Sequence, residues 1–259
     1  MEDRVADGLR LSVDGAVARV VLDRPDVRNA QTPAMWLALA EFGAKLPDDV
    51  RVVIVSGEGK SFSAGLDRNL MVGETTEQGE PLITLGTKPA GEITETIASY
   101  QAGFSWLRNP DFVSVAAVQG HAVGAGFQLA LACDLRVVTP DVRFCMKEPA
   151  LGLVPDLGGT QPLVDLVGYA RALEICATTR WVHAEEAQQI GLANIVVPAE
   201  ELEATVADLT AVLQAAAPKA VRGTKALLLG ASRRTYDEQL RAERETQAQR
   251  LASLVAGEG

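Results

Sequence analysis

The sequence predicts an α/β core followed by a helical C-terminal part, and three observations carry that reading. β-branched runs at Val52–Val55 and Val113–Val118 each lead into a glycine-rich loop. Helix-like segments alternate with those runs. After Val154 the pattern turns helical, with one short β-like stretch at "NIVVP". No Pro/Ser-rich linker or low-complexity tract divides the 259 residues, and no repeat shows beyond the two loops. A chain of this length buries one large core or two modest ones.

The elements follow in order. "LRLSVDGAVARVVLDRP" (Leu9 to Pro25) alternates about Asp14-Gly15 and reads as a hairpin. "TPAMWLALAEFGAKL" reads as a helix, with Thr32 as N-cap and Pro33 at its first position. The Val52–Val55 strand then enters "SGEGKSFSAGLD". Met71 to Ala90 holds three Gly and two Pro and reads as a mobile, lid-like excursion. A helix is expected over Glu92 to Leu107. Strand Val113–Val118 runs into "GHAVGAG" (Gly120 to Gly126), an apolar helix begins around Ala125, and strand Leu135–Val138 follows.

Composition narrows the function. A hydrophobic share of 47% with 22% charged residues describes a globular chain. The net charge of −10 argues against nucleic acid or an anionic membrane as the main partner. No apolar run approaches the ~18 residues that span a bilayer, and "MEDRVADG" lacks a signal peptide's apolar centre. Cys133, Cys145 and Cys176 sit in apolar contexts without CxxC spacing, as buried reduced thiols of a cytoplasmic protein would. His121 and His183 are too few and too separated for a zinc site or a triad, so no metal is expected. From Pro218 to Arg250 there are eight Lys/Arg against four Asp/Glu. That excess is either a solvated helix face or a docking edge for an anion such as phosphate.

Two nucleotide readings fail on spacing. Gly59-Lys60-Ser61 ends like a Walker A loop, but Ile54 stands where its first glycine belongs. The Gly124-Ala125-Gly126 loop lacks the dinucleotide fingerprint, because Leu129 replaces the third glycine. What remains is a pair of small-residue loops after buried strands. Each can aim one free N–H at a common point, and two such amides form an oxyanion hole. From the residues alone, both loops also fit as plain βα turns.

Linked motifs decide more. "RPDVRNA" (Arg24 to Ala30), "SGEGKSFSAGLD", "VQGHAVGAGFQLALACDLRV" and "EPALGLVPDLGGTQPL" together resemble the crotonase superfamily of enoyl-CoA hydratases and isomerases. "VGYARALEICATTRWVHAEEAQQIGLANIVVP" (Val167 to Pro198) is similar to the family's later segment. The resemblance spans about Val17 to Leu251 and is specific for the superfamily, less so for the reaction. It implies a spiral of ββα units with two roughly perpendicular sheets. A core over residues 1–200 would hold the acyl-CoA site, and residues 201–259 would form a helical trimerisation region of a homotrimer or homohexamer. It places the oxyanion amides on Leu66 and Ala125. Contacts to the substrate or its CoA moiety would fall on Arg28, Ala64, Gly65, Asp67 and Gly124. Coenzyme A enters only as part of the acyl-CoA substrate, with no separate cofactor.

The resemblance also ranks the chemistry. Hydratases use two glutamates to hold and activate water, and those positions are Gln128 and Glu148 here. A glutamine hydrogen-bonds but does not take a proton at neutral pH, so paired-carboxylate water activation is missing. Glu148 lies among Phe144, Cys145, Met146, Pro149 and Leu151, apolar neighbours that disfavour its charge and strengthen it as a base. The alternative is a surface carboxylate paired with Lys147. Eight residues on, Asp156 stands where hydratases carry glycine and dienoyl-CoA isomerases carry aspartate. It is either a second carboxylate of the site or the N-cap of a helix formed by "LGGTQPL". Dienoyl-CoA isomerases also carry an aspartate at the position of Gln128. Isomerase therefore ranks first, a hydratase of altered geometry second, and a non-catalytic acyl-CoA-binding protein third.

Overall fold

The computed structural model describes residues 4–71 and 75–257. β1 (Arg4–Ala6) turns at Asp7-Gly8 into β2 (Leu9–Asp14), which turns at Gly15 into β3 (Val17–Leu22). The second turn is the expected hairpin, with Asp14 opposite Val17. Its tightness rests on Gly15, whose φ of 52° suits a two-residue connection. Pro33 opens α1 (Pro33–Ala44), and the Thr32 hydroxyl accepts the Met35 N–H at 3.3 Å, the expected N-cap. β4 (Val52–Gly57) follows.

The glycine-rich excursion is partly built into the body. Thr76 and Gly79 exchange backbone hydrogen bonds, and α2 (Leu82–Leu85) buries Leu85 in the main core. Residues 72–74 of that excursion lie outside the described residues. α3 (Ala90–Ser105) begins two residues before the expected start and tightens into a 3₁₀ turn at Trp106–Arg108. Next come β5 (Val113–Val118), β6 (His121–Val123), α4 (Ala125–Ala132), β7 (Leu135–Val138) and β8 (Arg143–Cys145). The remainder comprises α5 (Thr160–Val167), α6 (Tyr169–Thr178), β9 (Val182–His183), α7 (Ala184–Gln189) and β10 (Ile195–Val196). It ends with α8 (Leu202–Ala215), α9 (Pro218–Ala231) and α10 (Tyr236–Val255).

Two sheets result, consistent with the expected fold class. Seven strands run in the order β1-β2-β3-β4-β5-β7-β10, antiparallel up to β3 and parallel from there. β6, β8 and β9 form a second, three-stranded sheet. Parallel strands bury both faces, and the residues alternate accordingly. Val53 and Val55 enter the large core with α1, α3 and α4, while Val52 and Ile54 face a smaller cluster closed by Val206 and Leu209 of α8. α8 is thus part of the sheet's packing. α9 and α10 pair with each other, and no residue of α10 is buried.

Several of the C-terminal cations are spent within the chain. Arg222 donates to the carbonyls of Asp48 and Asp111, Arg233 to Gln161, and Lys225 to Phe112 and Asp134. The Arg222 and Lys225 bonds tie α9 to the segments leading into β4 and β5 and to Asp134 between α4 and β7.

Candidate active site

The first loop is fixed from beneath by buried polar side chains. Asn29, fully buried, donates to the carbonyls of Glu58 and Ser61. Ser63 donates to the Asn29 carbonyl and accepts from the Gly65 N–H and the Gln31 amide, whose oxygen takes the Trp36 indole N–H. Buried polar groups satisfied in this way specify one arrangement of the backbone. The backbone from Phe62 to Ser63 then runs beside β6, with Ser63 opposite Ala122. Gly65 allows the closest approach: its φ is 85°, and a Cβ there would fall 2.5 Å from the Val123 carbonyl oxygen. Gln31 brackets Leu66, giving its N–H to Gly65 and accepting from Asp67.

The second loop turns at Gly124, whose φ of 52° and ψ of −118° only glycine adopts readily, into α4 at Ala125. Among the described residues, neither the Leu66 nor the Ala125 N–H donates to a protein acceptor. Ala125 opens a helix whose N-terminal dipole adds to the pull on an anion. Both residues border one cavity of about 710 Å³.

Glu148 borders the same cavity, at the start of a 3₁₀ turn (Glu148–Leu151) that follows β8. Its Oε1 accepts the Gln128 amide at 2.7 Å. Its Oε2 is buried and has no hydrogen-bond partner among the described residues. The bond to Gln128 replaces the considered pairing with Lys147. Burial pushes the Glu148 carboxyl above the usual carboxylate range; bonds from its own backbone N–H and Gln128 pull it back, and nearby Asp156 adds a smaller upward push.

Asp156 also lines the cavity, and burial raises its carboxyl too. It is not a helix cap: α5 begins after Gly159, and the Gly159 N–H goes to the Gln128 side chain at 3.3 Å. Gln101 on α3 holds the Asp156 carbonyl at 2.7 Å. The cavity's other walls are mostly apolar, with Trp36, Leu82, Leu85, Ile93 and Ile97 contributing beside the cations Arg68 and Lys147, and Tyr100 packs at a tilt on Trp36 with ring centroids 5.2 Å apart. Sequence reading had no signal for Tyr100 or Gln101, which reach the site only through the packing of α3.

The remaining candidates divide. Ala64, Gly65 and Gly124 line the cavity with Leu66 and Ala125. Arg28 and Asp67 do not. Arg28 is exposed in a left-handed conformation, its carbonyl accepting the Ala64 N–H. The Asp67 carboxylate is taken up by Arg24 at 3.0 Å and by the Asn69 N–H. Ser61 is buried against His121 Nδ1 at 3.2 Å rather than open to a phosphate. Among the described residues no three His, Cys, Asp or Glu side chains converge as a metal set.

A family model described as "Enoyl-CoA hydratase/isomerase" matches residues 12–258. The chain belongs to the enoyl-CoA hydratase/isomerase family. Within that family it is 32% identical, over 224 residues, to the peroxisomal Delta(3,5)-Delta(2,4)-dienoyl-CoA isomerase of Arabidopsis thaliana, covering 85% of this chain and 80% of that one. It is also 34% identical over 218 residues to the short-chain-enoyl-CoA hydratase of Clostridium acetobutylicum, covering 83% and 78%. Among solved structures, a candidate enoyl-CoA hydratase from Thermobifida fusca YX, in complex with acetoacetyl-CoA, superimposes with a TM-score of 0.91. It shares 51% identity, covering 95% of this chain and 96% of that one.

Proposed function

We propose that this family member is a dienoyl-CoA isomerase with Glu148 as the base and Asp156 as its acidic partner. The observation that carries the reading is Glu148, which borders one cavity with Asp156 and keeps a buried Oε2 without a hydrogen-bond partner among the described residues. The acyl-CoA character of the substrate is supported by the acetoacetyl-CoA complex of the T. fusca neighbour.

The thioester carbonyl oxygen sits between the Leu66 and Ala125 N–H groups. Glu148 takes a proton from carbon 2, and the C–H electron pair moves into the conjugated system. Negative charge gathers on the carbonyl oxygen, where fixed amides stabilise it more in the transition state than in the substrate. Asp156 in its acid form, which burial favours, returns a proton at the far end of the dienolate. The double bonds shift by one place each, and no water is consumed. Protons then redistribute between the carboxyl groups through solvent.

Hydration is the second reading, favoured by the name of the C. acetobutylicum relative. The Gln128 amide counts against it, because its nitrogen is already bonded to Glu148 and its oxygen to two backbone N–H groups. The test sets a 3,5-dienoyl-CoA beside a 2-enoyl-CoA with purified protein, reading the conjugated 2,4-dienoyl chromophore and the hydrated product. Hydration of the enoyl-CoA with the dienoyl-CoA untouched rejects the isomerase reading.

A further inference from the structure

Gln128 is 1% exposed, one turn into α4, and every polar atom of its side chain is engaged. Its Oε1 accepts the N–H groups of Leu157 at 2.9 Å and Gly159 at 3.3 Å. Its Nε2 donates to Oε1 of Glu148 at 2.7 Å. Two obligate donors face the oxygen and a carboxylate faces the nitrogen, so only one orientation of the amide fits. One side chain therefore joins α4, the turn that carries Glu148 and the loop that carries Asp156. Glycines let both partners close on it. A Cβ at Gly159 would lie 2.7 Å from Gln128 Cγ, and one at Gly124 would lie 3.2 Å from Oε1 of Glu148.

We propose that Gln128 is a positioning residue that sets the spacing of Glu148 and Asp156 and leaves Oε2 of Glu148 as the single free proton acceptor. The catalytic part of this inference rests on the isomerase reading; the positioning part does not. A glutamate at this place would keep the two backbone N–H groups but would need a proton to face Glu148. The two carboxyls would then share one proton and titrate as a pair. Glutamine, a donor that does not ionise, keeps Glu148 alone in that role. The other titratable groups around Glu148 are Asp156 from the loop before α5, Cys145 from β8 and Cys176 from α6, with Lys147 next to it in the chain. Of these groups Asp156 opposes its charge, and Gln128 supplies a donor that favours it.

The test replaces Gln128 by Met, which keeps the length and removes both hydrogen-bonding ends. Glu148 is titrated directly by carboxyl-carbon NMR, with Glu148→Gln identifying its signal, beside dienoyl-CoA turnover and acyl-CoA binding. Folded Gln128→Met should raise the Glu148 midpoint by about one unit, a ~10-fold change in proton affinity. Turnover should fall roughly 10- to 100-fold, with KM moving less than about 3-fold. Gln128→Glu should show two coupled midpoints in place of one. An unshifted Glu148 midpoint in folded Gln128→Met overturns the proposal, even if stability drops. Should that variant not fold, a single unshifted midpoint in Gln128→Glu overturns it instead. Parent protein inert toward dienoyl-CoA rejects the reaction reading, while the titration still reads the clamp.

Discussion

The Lys225 ammonium on α9 lies 2.7 Å from Oδ2 of Asp134, the carboxylate between α4 and β7, and 5.2 Å over the Phe112 ring. The same carboxylate oxygen accepts the backbone N–H and the hydroxyl of Ser114 on β5. Lys225 also caps the Phe112 carbonyl at 2.8 Å. One largely buried ion pair thus fastens α9 to the centre of the parallel sheet.

Removing one partner of such a pair leaves the other charge buried. Lys225→Met should cost about 3 kcal/mol, toward the low end for buried pairs because Ser114 still serves Asp134. Adding Asp134→Asn to it should recover part of the loss. Urea unfolding midpoints of the two singles and the double read the coupling, and strict additivity would deny the pair its role.

Arg136 is a different kind of buried cation. It is 1% exposed and bonds only carbonyls: Leu192 at 2.5 Å, Cys133 at 2.7 Å, and Ala130 and Asp134 at 3.3 Å each. Burial pushes its guanidinium down to about 10. The charge sits at the C-terminal end of α4, where the helix dipole favours it. Arg136→Met should therefore destabilise by roughly 2–4 kcal/mol, since several carbonyls lose their donor inside the protein. Chemical denaturation measures it, and a loss under ~0.5 kcal/mol would remove Arg136 from the account of how α4 is held.

Local chemistry was readable from the residues; partnership across the chain was not. Thr32-Pro33, the Asp14-Gly15 turn and the β-branched runs each announce an element, because the cause lies within a few residues. β1 has a local cause of the same kind, the Asp7-Gly8 turn into β2. β6, β8 and β9 were not readable as strands. They are two or three residues long, and only their neighbours in the second sheet make them strands. At the site, Glu148, Asp156 and the two loops followed from motif resemblance and do border one cavity. The Asp67 carboxylate is turned to Arg24, 43 positions away, and the Gln128 amide to Leu157, 29 positions away. No spacing rule connects such pairs.

The carboxyl of Glu148 carries a stability signature with a definite sign. Its folded-state value lies above the ordinary one, burial being the main cause. The folded protein therefore holds this proton when the unfolded chain has released it. The contribution to stability is full below the unfolded value, near pH 4.3, and is lost as pH rises through the folded value. Glu148→Gln has no charge to bury and can still accept from Gln128. It should melt near the parent at pH 4 and above it at pH 7. Scanning calorimetry across that range checks the trend, and a gap that shrinks toward neutral pH contradicts it.

Asp156 decides between one carboxylate and two, and hydrogen exchange separates them more sharply than turnover does. If Glu148 removes the proton from carbon 2 and Asp156 supplies one at the distant carbon, the two half-steps belong to different side chains. Asp156→Asn keeps the shape of the site and its acyl-CoA contacts but has no proton to give. Dienoyl-CoA isomerisation should fall by ~10²–10⁴, the usual worth of a general acid. The first half-step should survive, because Glu148 and the Leu66 and Ala125 amides are untouched. In heavy water this variant should therefore place deuterium on carbon 2 of the recovered substrate without moving its double bonds. Glu148→Gln should do neither. Mass spectrometry of the recovered thioester locates the label. If Asp156→Asn isomerises as fast as the parent, Glu148 works alone; if it neither exchanges nor isomerises while still binding the thioester, Asp156 shares the first proton transfer and the assigned order of roles is wrong.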